Sequence, residues 1–368
     1  MIVGVPREIK EDEYRVGMIP SGVRALVSSG HIVLVEKDAG AGSSIDDGDY
    51  ERAGAEITAA PEEVYGKADL IVKVKEPRPR EYGFLREGSI LFTFLHLAAD
   101  ARLAQELLNK NITAIGYETV ELDDGTLPIL CPMSEVAGRL AVQAGAQCLL
   151  KHQGCRGVLL SGVPGVERGN VAIAGAGVVG VNAAKIAAGL GADVLMLDLR
   201  VERFRYIDDV FGPRVRTLIS NEYNLEAALK RCDLLIGAVH IPGARTPRLI
   251  TRGMLSLMKK GSVIVDVSVD QGGCVETIRP TTHSKPAYEV DGIIHYGVAN
   301  MPGAVPRTST FALTNATLPY ISSIANLGFK EAVNATSALK RGVNCHRGAV
   351  THVRAAEAIG MKATALKL

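Results

Sequence analysis

The sequence has no excess of charge of either sign, because 41 lysine and arginine residues stand against 40 aspartate and glutamate residues in a chain of 368. Nucleic acids and anionic membrane surfaces are usually bound by strongly basic surfaces. We therefore expect small-molecule partners, with no nucleic acid and no membrane.

Long apolar runs are missing as well. A membrane-spanning helix needs roughly 18 consecutive apolar residues, and even the apolar stretch 89–99 contains His96. At the amino terminus, the charged residues Arg7 and Glu8 come before any apolar run of signal-peptide length. We expect neither a membrane span nor a secretory signal.

Cysteines are few and far apart. The chain contains no Cys-x-x-Cys pair, and its six cysteines are Cys131, Cys148, Cys155, Cys232, Cys274 and Cys345. This spacing favours reduced thiols in the cytoplasm, and it predicts no metal site. Repeats of solenoid period and low-complexity tracts are also absent from the sequence.

The composition is that of an ordinary globular protein, with 47% hydrophobic and 22% charged residues. At about 100 to 200 residues per domain, the length predicts two domains.

The first third of the chain alternates short β-rich apolar runs with amphipathic stretches. Strands are predicted at 2–5, 31–36, 68–75, 89–95 and 113–118. Such alternation favours a parallel sheet, whose ligands gather at the carboxyl ends of its strands. Lys75 and His96 lie at two of these ends.

The pattern changes near Cys131, where an alanine-rich segment to Leu150 predicts a connecting helix with Ser134 as its N-cap. A second series of strands is predicted at 170–174, 193–197, 214–219, 233–239, 262–267 and 293–298. Helical stretches beyond Pro306 would return to the first domain. We therefore predict an α/β protein with two Rossmann-like domains of mainly parallel sheet, in which residues 129–306 are inserted into a discontinuous domain of residues 1–128 and 307–368.

A glycine-rich turn follows the strand at 170–174. The sequence GAGVVG at 175–180 leads into a helical segment, which is the context of a dinucleotide-binding fingerprint. Gly175 permits the tight turn, Gly177 lets backbone amides approach a pyrophosphate, and Gly180 allows the helix to pack against the strand.

Asp198 ends the next predicted strand, at the spacing where an acidic residue accepts hydrogen bonds from the adenine ribose. A carboxylate there repels a 2′-phosphate, so NAD is favoured over NADP. Arg200, Arg203 and Arg205 follow closely, and either neutralise a phosphate or form the solvated face of the next helix.

Several sequence blocks resemble the bacterial alanine dehydrogenases, which form a family with the transhydrogenase alpha subunits. These blocks cover essentially the whole chain: GVPREIK at 4–10 with Arg15 and Val16, VKVKEP at 72–77, LHLA at 95–98, DVSVDQGG at 266–273 and YGVANMPGAVPR at 296–307. Several blocks in the same order are far more specific than one fingerprint.

The resemblance implies roles for individual residues. Arg15 and Lys75 would bind the substrate carboxylate, and His96 and Asp270 would be catalytic, with His96 as general acid and base. The dinucleotide contacts implied in addition to Gly175, Gly177 and Gly180 are Ser134, Val178, Asp198, Arg203, Ser220, Val239, Val267, Asp270, Val298, Asn300 and Met301. Arg203 replaces a lysine often found in the family, and His240 replaces an apolar residue.

The resemblance implies a cytoplasmic, hexameric enzyme of amino-acid catabolism that interconverts L-alanine with pyruvate and ammonia, using NAD. Its active site would lie between the two domains. One alternative is the soluble NAD-binding alpha component of a proton-translocating transhydrogenase, and another is a cofactor-binding regulator without turnover. The sequence leaves open the direction of the reaction and the activity on glycine, glyoxylate or other small amino acids.

Overall fold

The structure is a computed structural model that describes residues 1–239 and 246–368, so the prediction concerning His240 lies outside the described residues. Its strands are β1 (Ile2–Val5), β2 (Ile32–Glu36), β3 (Glu56–Thr58), β4 (Leu70–Val72), β5 (Ile90–Thr93), β6 (Thr113–Gly116), β7 (Asn170–Ala174), β8 (Asp193–Asp198), β9 (Val215–Ile219), β10 (Leu234–Gly237), β11 (Val263–Asp266), β12 (Ala287–Val290), β13 (Ile293–Tyr296), β14 (Val343–His346) and β15 (Ala349–Val350).

Its α-helices are α1 (Pro20–Ser28), α2 (Asp47–Arg52), α3 (Pro61–Lys67), α4 (Ala101–Asn109), α5 (Cys131–Cys148), α6 (Val178–Gly189), α7 (Val201–Phe211), α8 (Glu222–Arg231), α9 (Pro306–Leu327), α10 (Phe329–Ala335), α11 (Ser337–Gly342) and α12 (Val353–Ala358). Within residues 1–239 and 246–368, no helix combines the length and the apolar character needed to cross a membrane. The chain divides into two compact units, Met1–Met133 with Gly303–Leu368, and Ser134–Pro302.

The first unit contains an eight-stranded sheet of order β15-β14-β6-β5-β4-β1-β2-β3. Strands β1 to β6 run parallel, and at one edge β14 pairs with β6 and β15 pairs with β14, both in the antiparallel sense. Strands β4, β5 and β6 are buried along their whole length, as parallel strands covered by helices usually are. The chain after Pro306 therefore does return to the first sheet.

The second unit contains a seven-stranded sheet of order β12-β13-β11-β10-β7-β8-β9. Its strands are parallel except for β12, which pairs with β13 in the antiparallel sense. Helices α5 and α6 supply alanines to the core of this unit, which lets them pack close to the strands. The predicted α/β class with two mainly parallel sheets is confirmed.

Each sheet reverses its strand order beside its first strand. In the first unit, β1 lies between β2 and β4, and in the second unit β7 lies between β8 and β10. Loops at the carboxyl ends of two such neighbouring strands diverge, and the crevice between them is where open α/β sheets bind ligands. A ligand site is therefore expected at this position in each unit.

Two local predictions need correction. Helix α5 begins at Cys131, so Ser134 lies inside the helix and is not its N-cap. Pro132 falls in the first turn, where proline is tolerated because its missing amide proton has no helical acceptor there. The predicted strand at 68–75 is shortened to Leu70–Val72, which leaves Lys75 in the loop that follows.

Candidate functional site

Three side chains predicted to act together follow neighbouring strands of the first sheet. Arg15 lies in the loop after β1, Lys75 follows β4, and His96 follows β5. The Nζ atom of Lys75 lies 3.5 Å from Nε2 of His96. The loops that carry Arg15 and Lys75 leave the sheet at the position where its strand order reverses.

Arg15 is held rigidly by a neighbouring acid. Its side chain is only 2% exposed, and its Nε donates to Oε1 of Glu13 at 2.6 Å while Nη2 donates to the second carboxylate oxygen. Its Nη1 also contacts Sδ of Met133 at 3.2 Å. A guanidinium bound in this two-point manner has a fixed plane and direction.

Lys75 lies among other cations. Burial, followed by the charges of Arg15 and Lys10, lowers the pKa of Lys75 to about 8. Glu13 and Glu76, which pair with Arg15 and Lys10, oppose this shift only in part, so an anion bound beside Lys75 would stabilise its protonated form. The cluster fits a small carboxylate.

The imidazole of His96 is neutral at pH 7. Desolvation by surrounding protein atoms, followed by the charge of Lys75, lowers the pKa of His96, although the exposed ring lets solvent screen part of this effect. The ring stacks on Phe94 with 6.0 Å between ring centroids and 12° between their planes. A neutral imidazole next to a cation is able to accept a proton from a substrate or from water.

A buried charged network lies behind these residues. Nζ of Lys73, which has no exposed surface, lies 2.8 Å from Oε1 of Glu81 and 3.3 Å from Oε2 of Glu8. The other carboxylate oxygen of Glu8 accepts hydrogen bonds from the backbone amides of Val74 at 2.6 Å and Lys75 at 3.2 Å. This network fixes the backbone that carries Lys75.

The glycine-rich turn of the second unit connects β7 to α6. Gly175 has φ of +111°, and a Cβ atom on Gly180 would lie 1.8 Å from the carbonyl oxygen of Gly175. Both positions therefore require glycine. Helix α6 starts after Gly177, and no side chain caps its amino terminus. Its first amide groups and the positive end of its dipole fit a pyrophosphate.

Asp198 ends β8 beside this turn and is already hydrogen-bonded. Its Oδ2 accepts from the amide of Ala176 at 2.7 Å and from Nη1 of Arg203 at 2.8 Å, and its Oδ1 accepts from the amide of Arg200 at 2.9 Å. Of the three arginines noted in the sequence, Arg203 therefore pairs with the carboxylate.

The remaining residues predicted to contact the dinucleotide are mostly found at the same edge of the second sheet. Ser220 follows β9, Val239 follows β10, Val267 and Asp270 follow β11, and Val298, Asn300 and Met301 follow β13. Because these strands are parallel, their carboxyl ends share one edge with Gly175, Gly177 and Val178. The hydroxyl of Ser268 donates to the carbonyl oxygen of Val239 at 2.6 Å and so ties two of these loops together.

Ser134 differs from this group, because it lies on helix α5 and does not follow a strand. Ser134 lies one turn before Gly138 on the same face of α5, and a Cβ atom on Gly138 would lie 2.2 Å from the carbonyl oxygen of Val179. Helix α5 therefore brings Ser134 toward the amino terminus of α6. Asp270 is exposed in a short 3₁₀ turn, Val267–Gln271.

Sequence reasoning missed the acids that support the predicted site. Glu13, Glu8 and Glu118 hold Arg15, the Lys75 backbone and the His96 backbone, respectively. Glu118 lies two residues after the end of β6, so the strand-end rule that singled out Lys75 and His96 also applies to it. Glu8 carried no signal of its own, because the amides that it binds lie 66 and 67 residues away in the chain, and Glu13 was not connected with Arg15 although only two residues separate them.

The strand order and the glycine turn place the chain in the class of Rossmann-type dinucleotide-binding proteins. Comparison with known proteins narrows this class. Residues 4–137 match the family model for the alanine dehydrogenase/PNT N-terminal domain, and residues 141–353 match the model for the C-terminal domain. The chain belongs to the alanine dehydrogenase/PNT family, which confirms the resemblance seen in the sequence and implies a nicotinamide dinucleotide cofactor.

Individual relatives agree with this assignment. Alanine dehydrogenase of Bacillus subtilis (strain 168) is 56% identical over 361 residues, which are 98% of this chain and 95% of that protein. A solved structure named L-alanine dehydrogenase has a TM-score of 0.95 at 50% identity and covers 98% of this chain and 99% of its own. The transhydrogenase from Sinorhizobium meliloti has a TM-score of 0.81 at 26% identity, with 96% and 99% covered.

Proposed function

We propose that this protein is an alanine dehydrogenase that catalyses the reversible, NAD-dependent conversion of L-alanine to pyruvate and ammonia. The observation that carries the proposal is the group of Arg15, Lys75 and His96 at the carboxyl edge of the first sheet. The fixed guanidinium and the lysine suit the carboxylate of a small amino acid. The neutral imidazole suits the proton transfers that its oxidation requires. The high identity to alanine dehydrogenases supports this substrate.

Substrate binding is assigned to the two cations. The rigid guanidinium of Arg15 and the ammonium of Lys75 would hold the carboxylate from two directions and so fix the orientation of Cα. The bound nicotinamide ring supplies the hydride acceptor for the Cα hydrogen.

Proton transfer is assigned to His96 and Asp270. The substrate ammonium first loses a proton to solvent, and loss of the hydride then leaves a protonated imine. The neutral ring of His96 would take a proton from the water that attacks this imine. The protonated ring then returns that proton to the amino group of the carbinolamine, and it accepts the hydroxyl proton as the C–N bond breaks, so that the C=O bond of pyruvate forms and ammonia leaves. Asp270, exposed after β11, is proposed to orient the substrate amine.

The preference for NAD rests on Asp198. Its carboxylate lies beside the glycine turn, where a 2′-phosphate would meet a negative charge. The pairing of Arg203 with Asp198 supports this choice, because that guanidinium is engaged and not directed at a phosphate. The first unit is proposed to bind substrate and the second to bind NAD. The family resemblance is the basis for proposing a cytoplasmic homohexamer.

The test is an initial-rate comparison of L-alanine, D-alanine, L-serine and glycine with NAD and NADP, using the purified chain. We expect NADH formation with L-alanine, and we expect glycine to be slower by about 10- to 200-fold, since one methyl group is worth roughly 1 to 3 kcal/mol in a pocket. D-Alanine should be inactive. Tight NADH binding without turnover of any amino acid would contradict the proposal and favour a transhydrogenase component or a regulator.

The lowered pKa of Lys75 predicts how substrate binding depends on pH. Only the protonated ammonium attracts a carboxylate, and its population falls as the pH rises through about 8. Pyruvate binding to the enzyme–NADH complex should therefore weaken above this pH, by up to about tenfold per pH unit for one linked proton. Isothermal titration calorimetry from pH 6.5 to 9.5, without ammonia, measures the dependence.

Lys75→Arg is the informative variant here, because a guanidinium stays protonated throughout this range. Its pyruvate affinity should lack the decline, whereas Lys67→Arg, at an exposed helix position, should retain it. An identical decline in Lys75→Arg would show that a different group titrates.

A further inference from the structure

The backbone of His96 has an unusual conformation. Its φ of +48° and ψ of +34° lie in the left-handed region, which is unfavourable for a residue with a Cβ atom. Such conformations persist only where the surrounding structure enforces them, and they concentrate at functional sites. Something in the first unit must therefore hold this residue in place.

Glu118 makes the contacts that hold it. Its Oε1 accepts a hydrogen bond from the amide of His96 at 2.6 Å, and its Oε2 accepts one from the amide of Leu95 at 3.2 Å. Glu118 follows β6, the neighbour of the strand that precedes His96, so the bonds join two adjacent loops. A carboxylate that receives two consecutive amides fixes the path of the chain at that point.

The direction of the His96 ring depends on this path. The ring stacks on Phe94 and lies 3.5 Å from Nζ of Lys75, and a change at the His96 backbone would move it away from both. Proton transfer requires hydrogen-bond distance, so a small displacement of the ring is costly.

We propose that Glu118 is a positioning residue, whose carboxylate holds His96 in its left-handed conformation and thereby aims the imidazole at the substrate. This inference rests on the proposed function for its kinetic consequence alone. The hydrogen bonds that the Glu118 carboxylate accepts from the backbone also contribute to stability, and this contribution can be measured without enzyme activity.

The stability test is a double-mutant cycle with Glu118→Gln and His96→Gly. Glutamine keeps the size but puts an amide group opposite one of the two backbone donors, and glycine adopts the left-handed region without strain. We expect Glu118→Gln to lower the melting temperature of the wild-type chain clearly more than that of His96→Gly. Equal shifts of the melting temperature in both backgrounds would mean that Glu118 stabilises the fold independently of the His96 conformation, and they would overturn the proposal.

The kinetic test uses alanine-dependent NADH formation. Glu118→Gln should reduce kcat by about 100-fold, the loss associated with a misplacement near 1 Å, while the KM for NAD stays unchanged. Glu121→Gln, three residues further along the chain, is the matched control and should keep wild-type kcat. An unchanged kcat in Glu118→Gln would contradict the positioning role.

The two proposals fail in different ways. If the wild-type chain does not oxidise L-alanine, the proposed function is wrong. The coupling between positions 96 and 118 can still be measured from the melting temperatures. If Glu118→Gln does not fold, Glu118→Asp takes its place in the cycle, since the shorter side chain cannot reach both amides. Additive shifts with that variant would again overturn the proposal.

Discussion

Replacing Lys73 with methionine should destabilise the protein strongly, by about 3 to 5 kcal/mol, the usual cost of removing one partner from a buried ion pair. Burial opposes the charge of Lys73, but Glu8, Tyr65 and Glu81 outweigh it and raise its pKa well above the usual value. Methionine fills nearly the same volume, so the loss would come from the two carboxylates left without their cation. Urea unfolding followed by circular dichroism measures the effect.

Lys67→Met is the matched control, because it also removes a lysine that pairs with a glutamate. Lys67 lies 2.7 Å from Glu63, but both side chains are more than half exposed, at 57% and 51%. Such a pair contributes little because solvent screens it, so the urea midpoint should barely move. Equal shifts in the two variants would show that burial does not govern the energetics of the Lys73 network.

The double variant Lys73→Met with Glu81→Gln adds a second check. It removes one of the two stranded carboxylates, so it should recover part of the stability lost in Lys73→Met. A further loss of the same size would mean that the two residues contribute independently, contrary to the 2.8 Å contact between them.

The sequence supplied the parts of this fold that depend on local pattern. Apolar runs with turn residues at their ends located the central strands of both sheets, and the glycine turn at 175–180 has the predicted strand and helix on either side. Short strands at the sheet edges were missed. Strand β3, for example, has three residues, none fully buried, and its pairing with β2 leaves no distinctive sequence pattern.

The parts that were missed depend on contacts between distant residues. Lys73 and Lys75 look alike in the sequence, yet Lys73 is completely buried against Glu8 and Glu81, and only Lys75 reaches His96. Nothing local distinguishes the two lysines, because Glu8 lies 65 residues earlier in the chain. Family resemblance selected Lys75, the lysine that lies beside His96 in the structure, but it did not indicate the network behind it.

The pairing of Asp198 with Arg203 shows a second limit. Spacing identified Asp198 as a ribose acceptor and left the following arginines as phosphate ligands or solvated charges. The structure adds a third arrangement, since Arg203 donates to Asp198 itself. The direction of the Arg203 side chain decides between these arrangements. That direction depends on where helix α7 begins, which composition does not show.

His96→Ala should nearly abolish alanine-dependent NADH formation, with kcat reduced by about 10²- to 10⁴-fold, the range for loss of a general acid and base. Binding of NADH should be retained, because the glycine turn and Asp198 lie on the other unit of the chain. Stopped-flow turnover and the fluorescence of bound NADH measure the two quantities separately. His152→Ala, which removes an exposed histidine, should leave both unchanged.

Added imidazole separates proton transfer from a structural role of His96. A small base that enters the space left by the ring can carry the proton, so imidazole should restore part of the kcat of His96→Ala and none of that of Lys75→Ala. The rescue should increase with pH as the neutral form of the added base accumulates, as expected of the uncharged ring in the native enzyme. Normal turnover by His96→Ala would remove its proposed role, and loss of NADH binding in the same variant would show that the substitution acts through the fold.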